Sequence, residues 1–260
     1  MSSDDSLVLA TQHDKHRVIA PVFADILGWD VRPVAIDTDQ FGTFSGERPR
    51  VGSPEQTAYA KARAGMMSAG VGRGLASEGS IGPDPRMPII TVDQEIIVYL
   101  DDHQGISLAQ WHTSADIIAF RHTVSEQTSW PEVQRQADLP QHAVIVTNAG
   151  DEVTWVRKGL RDINEVAQAV SDCESATGSG VVIETDYRAM VCPSRQRVIG
   201  QCAELLANRL ATPCPACATP GWGVVSHEYA VACLGCGGLV EQARRADVWG
   251  CALCSHTQPQ

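Results

Sequence analysis

The first 210 residues alternate between two kinds of hydrophobic pattern. Short apolar runs have the length and composition of buried strands, and they occur at residues 6–10, 31–36, 143–147, 153–156 and 181–184. Elsewhere, apolar residues recur three and four positions apart, as on one face of a helix, at residues 14–27, 130–137, 163–173 and 193–210. Strands that alternate with helices predict an α/β domain, in which a mixed, largely parallel sheet is flanked by helices.

Local signals predict the ends of two helices. Gly28 follows the apolar pattern of residues 14–27 and predicts the end of that helix, because glycine readily adopts the left-handed backbone that closes a helix. Ser53 and Pro54 predict the start of another helix, which runs to about residue 69. Serine caps a first turn, and proline lacks only an N–H that would have no partner there. Gln56 completes a capping box with Ser53.

The middle of the domain is predicted to contain a hairpin with strands at residues 95–100 and 106–111. Before the hairpin, a short strand at residues 75–77 leads into residues 78–85, whose glycines and prolines predict a turn. The last amphipathic helix ends near residue 210, where the composition changes. We therefore expect an α/β domain over residues 1–210 and a small separate tail over residues 211–260.

The tail contains three Cys-x-x-Cys pairs: Cys214/Cys217, Cys233/Cys236 and Cys251/Cys254. Two residues between cysteines allow both sulfurs to face one ion, and two such pairs complete a tetrahedron of thiolates. The spacing between successive pairs, 15 and then 14 residues, is close to that of zinc ribbons. The pattern predicts a zinc ribbon with a structural Zn²⁺, because a site closed by four thiolates leaves no position for a substrate.

The cysteine spacing leaves the choice of ligands open. One ion needs only four of the six thiolates, so the third pair is either spare or joins His227 or His256 in a second site. An iron–sulfur cluster also takes four thiolates. The other three cysteines stand alone, and Cys202 is expected in the core because it lies on the apolar face of the last helix.

Composition limits the classes of partner. The net charge of −11 and a sequence pI of about 5.1 argue against nucleic acid, whose binding depends on neutralising phosphates with basic residues. No apolar run approaches the roughly 20 residues that span a bilayer, and the N-terminus lacks the basic and apolar regions of a signal peptide. We expect a cytoplasmic protein without membrane contact, and homodimerisation is left open.

The turn after the first predicted strand is a candidate anion site. Thr11, His13 and Lys15 lie where this turn opens a helix. A lysine in a first turn does not complement the helix dipole, but together with the free backbone N–H groups it would bind an anion such as phosphate. A solvated basic turn is the alternative interpretation.

Acidic residues in a predicted turn, at a strand end and on the second helix are candidates for holding a divalent cation. Carboxylates at strand ends commonly bind Mg²⁺ or Mn²⁺ beside substrate phosphates. The catalytic candidates are Glu55, Glu78, Glu184 and Asp186, and the last two share one face of an extended strand. The substrate-binding candidates beyond the first turn are Glu47, Lys61, Ser80, Arg188 and Arg195, of which the arginines could clamp phosphate oxygens. Solvated charges or a local ion-pair network are the alternatives.

Several longer strings resemble an uncharacterised bacterial family that joins an α/β domain to a cysteine-rich tail. The strings are Ala10-Thr-Gln-His-Asp-Lys15, residues 37–47, residues 76–85, Glu184-Thr-Asp-Tyr-Arg-Ala189, Cys214-Pro-Ala-Cys217 and Pro220-Gly-Trp-Gly223. The chain departs from the family's pattern at Ile81, Asp84 and Cys192, where phenylalanine, histidine and asparagine are expected. The resemblance covers nearly the whole chain and implies no particular activity.

A more distant resemblance is to the inosine/xanthosine triphosphate pyrophosphatases. Thr11-Gln-His-Asp-Lys15 is similar to their triphosphate-binding turn, although it is one residue shorter and has His13 in place of asparagine. Residues 55–62 and 77–79 are similar to their second helix and their acidic turn. The resemblance implies Mg²⁺ and attack of water between the α and β phosphates. It also implies that Glu55 and Glu78 hold the metal or orient water, while Lys15 and Lys61 neutralise phosphate charge.

These observations favour a metal-dependent hydrolase of a phosphorylated small molecule, with a nucleoside triphosphate as the leading substrate. The first alternative is a binding module without catalysis, whose ribbon docks on a protein. The tail of this chain has only Arg244 and Arg245 as fixed positive charges, so a protein partner is favoured over nucleic acid. A zinc hydrolase is a third class, and it would need a metal site with an open position.

Overall fold

The computed structural model describes residues 6–11, 14–36 and 52–260. In chain order, its elements are β1 (Leu7–Ala10), α1 (His16–Leu27), β2 (Val31–Val34), α2 (Pro54–Ala69), β3 (Arg73–Pro83), β4 (Thr91–Asp101), β5 (Ile106–Ser114), β6 (Arg121–Thr123), α3 (Trp130–Gln136), β7 (Val144–Asn148), β8 (Val156–Leu160), α4 (Ile163–Thr177), β9 (Val181–Thr185), α5 (Pro193–Ala211), β10 (Gly223–Ala232), β11 (Leu239–Gly250) and β12 (Thr257–Pro259). A short 3₁₀ helix at Ala189–Val191 precedes α5.

The first sheet is mixed and has the order β2-β1-β3-β4-β5. Strand β1 pairs in parallel with both β2 and β3, whereas β3, β4 and β5 form an antiparallel meander. Because side chains alternate along a strand, the two faces of the sheet have separate cores. One face packs on α1 and α5 through residues such as Leu9, Ile97 and Leu206. The other packs on α2 through residues such as Val8, Ile96 and Ala62.

The second sheet has the order β6-β9-β7-β8, and its recorded pairings are all antiparallel. Its core joins the sheet to α3 and α4 and includes Val146, Val170 and Ile183. The predicted α/β fold class is confirmed, and parallel pairing is found between β1, β2 and β3. The division into two sheets with separate cores was not predicted.

The predicted helix signals agree with the structure. Gly28 has a φ of 68° and donates its N–H to Ala24, so it closes α1 in the left-handed conformation. Ser53 accepts from the N–H of Gln56, whose side chain in turn bonds the N–H of Ser53, which is the predicted capping box of α2.

The predicted turn at residues 78–85 is wrong, because β3 continues through it to Pro83. Every residue from Arg73 to Pro83 pairs with β4, so the glycines of this segment lie in a long hairpin strand. Glycine and proline favour turns locally, but eleven consecutive pairings with β4 outweigh that preference here. Glu78 therefore projects from the interior of a sheet.

The tail begins where α5 ends at Ala211 and contains the third sheet, of order β10-β11-β12. It contacts the α/β region closely. Ala252 packs against the core beneath α1 and α5, and Arg209 donates hydrogen bonds to the carbonyl oxygens of Gly221 (3.2 Å) and Ala109 (3.3 Å). Within the described ranges, no helix combines the length and apolar character needed to cross a bilayer.

Candidate functional site

Six ionisable side chains from four elements and one turn meet at one end of the first sheet. They are three bases and three acids, each with less than a tenth of its surface exposed: Lys15, Lys61, Glu78, Asp93, Glu95 and Arg195. We call this set the charge cluster. Burial of one charge is costly unless it is paired, so six ionisable groups in one region require an explanation beyond stability.

Lys15 enters the cluster from the residue immediately before α1. Its Nζ donates to the carbonyl oxygen of Ser77 (3.3 Å) and to the hydroxyl of Ser77 (3.0 Å), both on β3. Burial lowers the pKa of Lys15 to about 8, and repulsion from the neighbouring Arg195 contributes to the decrease. The ammonium group is therefore mostly protonated at neutral pH and neutral at moderately alkaline pH.

Lys61 and Glu78 form a buried ion pair between α2 and β3, with 9% and 6% of their side chains exposed. Glu78 follows Ser77 along β3, so it points to the opposite, α2-facing side of the sheet. The pair nevertheless lies close enough to affect Lys15, since Glu78 favours the charged ammonium group and Lys61 opposes it. The cluster thus surrounds β3 from both faces.

Arg195 and Glu95 form the most deeply buried ion pair of the cluster, with 1% and 0% of their side chains exposed. Arg195 Nε donates to Glu95 Oε1 at 2.6 Å, and Nη1 donates to the carbonyl oxygen of Tyr187 at 2.6 Å. Gly79 provides the room for this pair, because a Cβ at that position would overlap Glu95 Oε1 and lie 2.7 Å from Arg195 Nη2. Glycine is required at position 79 because the ion pair approaches the backbone closely, and not because the chain turns there.

Asp93 lies two residues before Glu95, on the same face of β4, and is fully buried. Among the described residues, neither of its carboxylate oxygens has a hydrogen-bond donor, and the same holds for Glu95 Oε2 and Thr11 Oγ1. Burial and, after it, repulsion from the neighbouring Glu95 raise the pKa of Asp93 to about 8. Buried acceptors without a donor are costly in a fold, and they are typical of a place where a ligand or ion supplies the missing partner.

Four of the sequence-predicted residues belong to the charge cluster, namely Lys15, Lys61, Glu78 and Arg195. Thr11 lies at the end of β1, where its N–H donates to Val34 and its side chain is buried. The residues predicted at His13 and Glu47 lie outside the described ranges. Ser80 is half-buried on β3 after Gly79, and Glu55 is half-buried in the first turn of α2.

Glu184 and Asp186 bind separate partners near the second sheet. Glu184 forms an ion pair with Arg121, which is largely exposed. Asp186 is fully buried, but its oxygens accept from the N–H of Gly159 (3.0 Å) and from Arg188, whose Nη2 lies 2.5 Å away. The predicted metal-binding pair is therefore divided between two ion pairs, and Arg188 is occupied by Asp186. Both carboxylates have bonds that account for their positions.

Sequence reasoning missed Asp93 and Glu95, although the pattern contains a signal for them. Along β4, Asp93, Glu95, Ile97 and Tyr99 occupy alternate positions, and the last two are core residues. Two acids that continue the buried face of a strand are exceptional, because that face is otherwise apolar. The predicted strand began at residue 95, so Asp93 lay outside it and the alternation of the two acids with the core residues was not recognised.

An open cleft lies between the first turns of α1 and α5 and has a volume of about 260 Å³. Its lining includes Asp14 and Gln196, the sequence neighbours of Lys15 and Arg195, together with Arg17 and Met190. Two bases of the cluster are therefore adjacent in sequence to the walls of a solvent-accessible cleft.

The tail contains a second candidate site, in which Cys214, Cys217, Cys251 and Cys254 converge. Their sulfur atoms all lie within 4.8 Å of one another. Cys217 Sγ lies 3.5 Å from Cys251 Sγ, and Cys214 Sγ lies 3.9 Å from Cys254 Sγ. A regular tetrahedron with zinc–sulfur bonds of about 2.3 Å has sulfurs about 3.8 Å apart, so these four thiols fit one zinc ion.

Backbone N–H groups point at the sulfurs of this site. Cys251 Sγ accepts from the N–H groups of Leu253 and Cys254, each at 3.3 Å, and Cys214 Sγ accepts from Ala216 at 3.4 Å. Hydrogen bonds with Thr219 lower the pKa of Cys217 to about 6. Donors directed at sulfur favour the thiolate, which is the form that binds metal.

The middle pair, Cys233 and Cys236, is not part of the four-sulfur site. It lies at the tip of the β10–β11 hairpin, where Cys236 is exposed and Cys233 half-buried. The sequence left open a second site with His227 or His256. His227 instead bonds Asp247 at 3.0 Å, and His256 stacks on Trp222.

A crystal structure of protein VC0702 from Vibrio cholerae aligns with 77% of this chain and 91% of that one, at 12% identity and a TM-score of 0.33, which supports no inference. None of the curated proteins matches. The resemblance to inosine/xanthosine triphosphate pyrophosphatases gains no support from these comparisons and stays a hypothesis. A model of a domain of unknown function matches residues 61–260, from Lys61 through the cysteine tail. The expectation of an uncharacterised family is thus confirmed, and the chain belongs to the DUF6671 family.

Proposed function

We propose that the α/β region is a metal-dependent hydrolase of a phosphorylated small molecule, with a nucleoside triphosphate as the leading substrate class. The observation that carries this proposal is the convergence of Lys15, Lys61 and Arg195 with three buried carboxylates at one end of a sheet. Ligands of open α/β sheets bind beyond the carboxyl ends of parallel strands, and the cluster lies where β1 ends beside β3. Strongly shifted pKa values, such as those of Lys15 and Asp93, concentrate at functional sites.

The charge balance of the cluster fits an anion at neutral pH. Below a pH of about 8, Lys15 and Asp93 are both mostly protonated, so three cations face the carboxylates of Glu78 and Glu95. A phosphate group would use this positive excess, and its attraction is stronger in a buried region than in water. The rest of the chain is acidic, so the cluster is a local exception to a net charge of −11.

The acids of the cluster suit a divalent cation. Mg²⁺ usually binds one or two carboxylates and completes its shell with water and substrate phosphates. Asp93 and Glu95 have acceptor atoms that lack donors within the described ranges, so they are the residues that would hold Mg²⁺ or Mn²⁺, and Asp93 would release its proton to solvent when the cation binds. When bound, the cation would polarise a phosphoryl oxygen.

The proposed reaction is attack of water on the α-phosphate of the substrate. Water would add to the α-phosphorus, the bond to the bridging oxygen would break, and pyrophosphate would leave with a nucleoside monophosphate as the other product. Lys15 and Lys61 would stabilise the charge that develops on phosphate oxygens, as preorganised cations do in other phosphoryl-transfer sites. Glu78, held by Lys61, would accept the proton of the attacking water.

For the tail, we propose a structural zinc ion bound by Cys214, Cys217, Cys251 and Cys254. The sulfur separations of 3.5 and 3.9 Å and the N–H groups directed at the sulfurs support zinc. Four protein ligands leave no position for a substrate, which speaks against a catalytic zinc. Elemental analysis of the purified chain distinguishes zinc from the iron of an iron–sulfur cluster.

The test of catalysis is release of pyrophosphate from a panel of nucleoside triphosphates by the full zinc-loaded chain, with Mg²⁺ or Mn²⁺. We expect turnover with at least one member, and a loss of about 100-fold or more in Glu78→Gln, because the proposed base is removed. The matched control is Glu132→Gln, which removes an exposed carboxylate that pairs only locally with Arg135 and Gln136. This variant should retain full activity.

A second measurement covers variants that fold poorly. Tripolyphosphate with Mg²⁺ should raise the melting temperature of the wild-type chain, and Lys15→Met should abolish that rise. No turnover across the panel, combined with no stabilisation by tripolyphosphate, would contradict the enzyme proposal. The alternative of a binding module without catalysis would then be favoured.

A further inference from the structure

The first and middle Cys-x-x-Cys turns of the tail share one backbone conformation. In the first, the N–H of Cys214 donates to Thr219 and the N–H of Ala218 donates to Cys214, each at 2.8 Å. In the middle turn, the N–H of Cys233 donates to Gly238 and the N–H of Gly237 donates to Cys233, again at 2.8 Å. Ala218 and Gly237, at matching positions, both have positive φ values of 59° and 71°.

The first turn is half of the four-sulfur site, to which both Cys214 and Cys217 belong. The middle turn matches the first in its cysteine spacing, in both backbone hydrogen bonds and in the positive φ after its second cysteine. Cys233 and Cys236 therefore have the backbone conformation of a metal-binding half-site.

The complement of the middle half-site does not come from the same chain within the described ranges. There, Cys233 and Cys236 belong to no group of three or more potential ligands whose ligand atoms lie within 4.8 Å of one another. His227 is bound to Asp247 and His256 lies against Trp222, so neither is directed at this pair. A closed zinc site needs two further ligands, and these would have to come from another molecule.

The surroundings of the middle half-site are apolar and exposed. Leu234, between the two cysteines, is fully exposed, and Leu239 is 68% exposed. Val231, Val240 and Tyr229, on the adjoining strands, are each more than a third exposed. Strand β12 pairs only with Val248, Trp249 and Gly250, so this part of the hairpin has two strands, and a cluster of exposed apolar side chains marks an interaction surface.

We propose that Cys233 and Cys236 of two copies of this chain bind one zinc ion between them, so that the tail forms a zinc-bridged dimer. A second copy is the partner that brings an identical pair of thiolates, and a two-fold axis through the ion would give the tetrahedral four-sulfur site that zinc prefers. The same axis would bring Leu234 and Leu239 of both copies together around the ion. This proposal depends on the assignment of zinc to the four-sulfur site within each chain.

Metal content and molecular mass, measured on the full chain purified under reducing conditions, test the proposal. The wild-type chain should be a dimer with three zinc ions, or 1.5 per chain. Cys233→Ser/Cys236→Ser should be a monomer with one zinc per chain, since the four-sulfur site remains. Leu234→Asp should keep both cysteines but weaken the dimer, because it places a charge in the apolar surface.

The other outcomes separate the two zinc assignments. No zinc in either protein would mean that the zinc assignment of the four-sulfur site is itself wrong. One zinc per chain in both proteins, or a dimer that persists in the double variant with an unchanged zinc content, would overturn the bridged dimer alone. Two zinc ions in a monomer, or an intramolecular Cys233–Cys236 disulfide seen by mass spectrometry, would also overturn it.

Discussion

The charge cluster of the first sheet and the ion pairs of the second contain the same residue types but differ in how their hydrogen bonds are satisfied. Beside the second sheet, Asp186 is as deeply buried as Asp93, yet its oxygens accept from Gly159 and Arg188. In the first sheet, both oxygens of Asp93 lack a donor within the described ranges. Burial alone therefore does not distinguish a structural carboxylate from a candidate ligand. The distinction lies in whether the protein itself supplies the partners.

The largest expected effect comes from removing a buried cation. Arg195→Met leaves Glu95 buried without its guanidinium partner, and we expect a loss of about 3–5 kcal/mol in the free energy of unfolding. Arg121→Met removes the exposed partner of Glu184 and should change stability by about 0.5 kcal/mol or less. Urea denaturation of both variants measures the difference. Equal losses would mean that the two regions do not differ in the way described.

The next effect separates the two buried aspartates. In the folded chain the pKa of Asp93 is about 8, above its usual value of 3.8, because ionisation is disfavoured there. The free energy of unfolding therefore falls as pH rises above about 4, where the unfolded chain releases the proton and the folded chain keeps it. Asp93→Asn should therefore stabilise the chain at pH 7 by about 2–4 kcal/mol in magnesium-free buffer, with no gain near pH 4. Asp186→Asn should destabilise it, because Arg188 loses a charged acceptor. Denaturation curves at the two pH values would show both effects, and a destabilised Asp93→Asn at pH 7 would contradict the interpretation of Asp93.

A smaller effect is the pH dependence of anion binding. As pH rises through 8, Lys15 loses its positive charge and Asp93 gains a negative one, so the cluster changes from an excess of cations to an excess of carboxylates. Binding of tripolyphosphate should weaken roughly tenfold between pH 7 and pH 9, since the charged fraction of a lysine with a pKa of 8 falls about tenfold. Calorimetry on the wild-type chain and on Lys15→Met measures this. A Lys15→Met variant with wild-type affinity at pH 7 would exclude Lys15 from the anion site.

The smallest effect concerns the residues that sequence alone placed in the site. Glu184→Gln removes a carboxylate that the structure places in an exposed ion pair, so pyrophosphate release should stay at the wild-type level. A loss similar to that of Glu78→Gln would mean that the site extends to the second sheet, as the sequence-based prediction has it.

Local signals in the sequence were sufficient to predict helix ends and a cysteine-rich tail that can bind metal. Capping by Ser53 and closure by Gly28 depend on residues a few positions apart, so they can be predicted without tertiary contacts. The convergence of Lys15, Lys61 and Arg195 depends on strand order, which a single sequence does not reveal. Gly79 illustrates the limit most clearly. From sequence this glycine predicted a turn. In the structure, glycine is required there because the Glu95–Arg195 ion pair passes close over β3.

The choice of cysteines had a similar limit. Spacing identified six candidate ligands, but both possible linkers have ribbon-like lengths. The selection of the outer two pairs follows from the hairpin of β10 and β11, which carries the middle pair away from the strand ends where the outer pairs meet. Long-range strand pairing thus decided what local spacing could not.

The packing of Gly221 of the tail on Leu108 of β5 has a consequence for solubility. Strand β5 is the last strand of the first sheet, and a free strand at the margin of a sheet is a template for strand addition by another molecule. Gly221 of the tail, whose carbonyl oxygen accepts from Arg209 of α5, packs on Leu108 and covers part of this margin. A chain truncated before the tail would expose that margin and become prone to aggregation through β-strand addition.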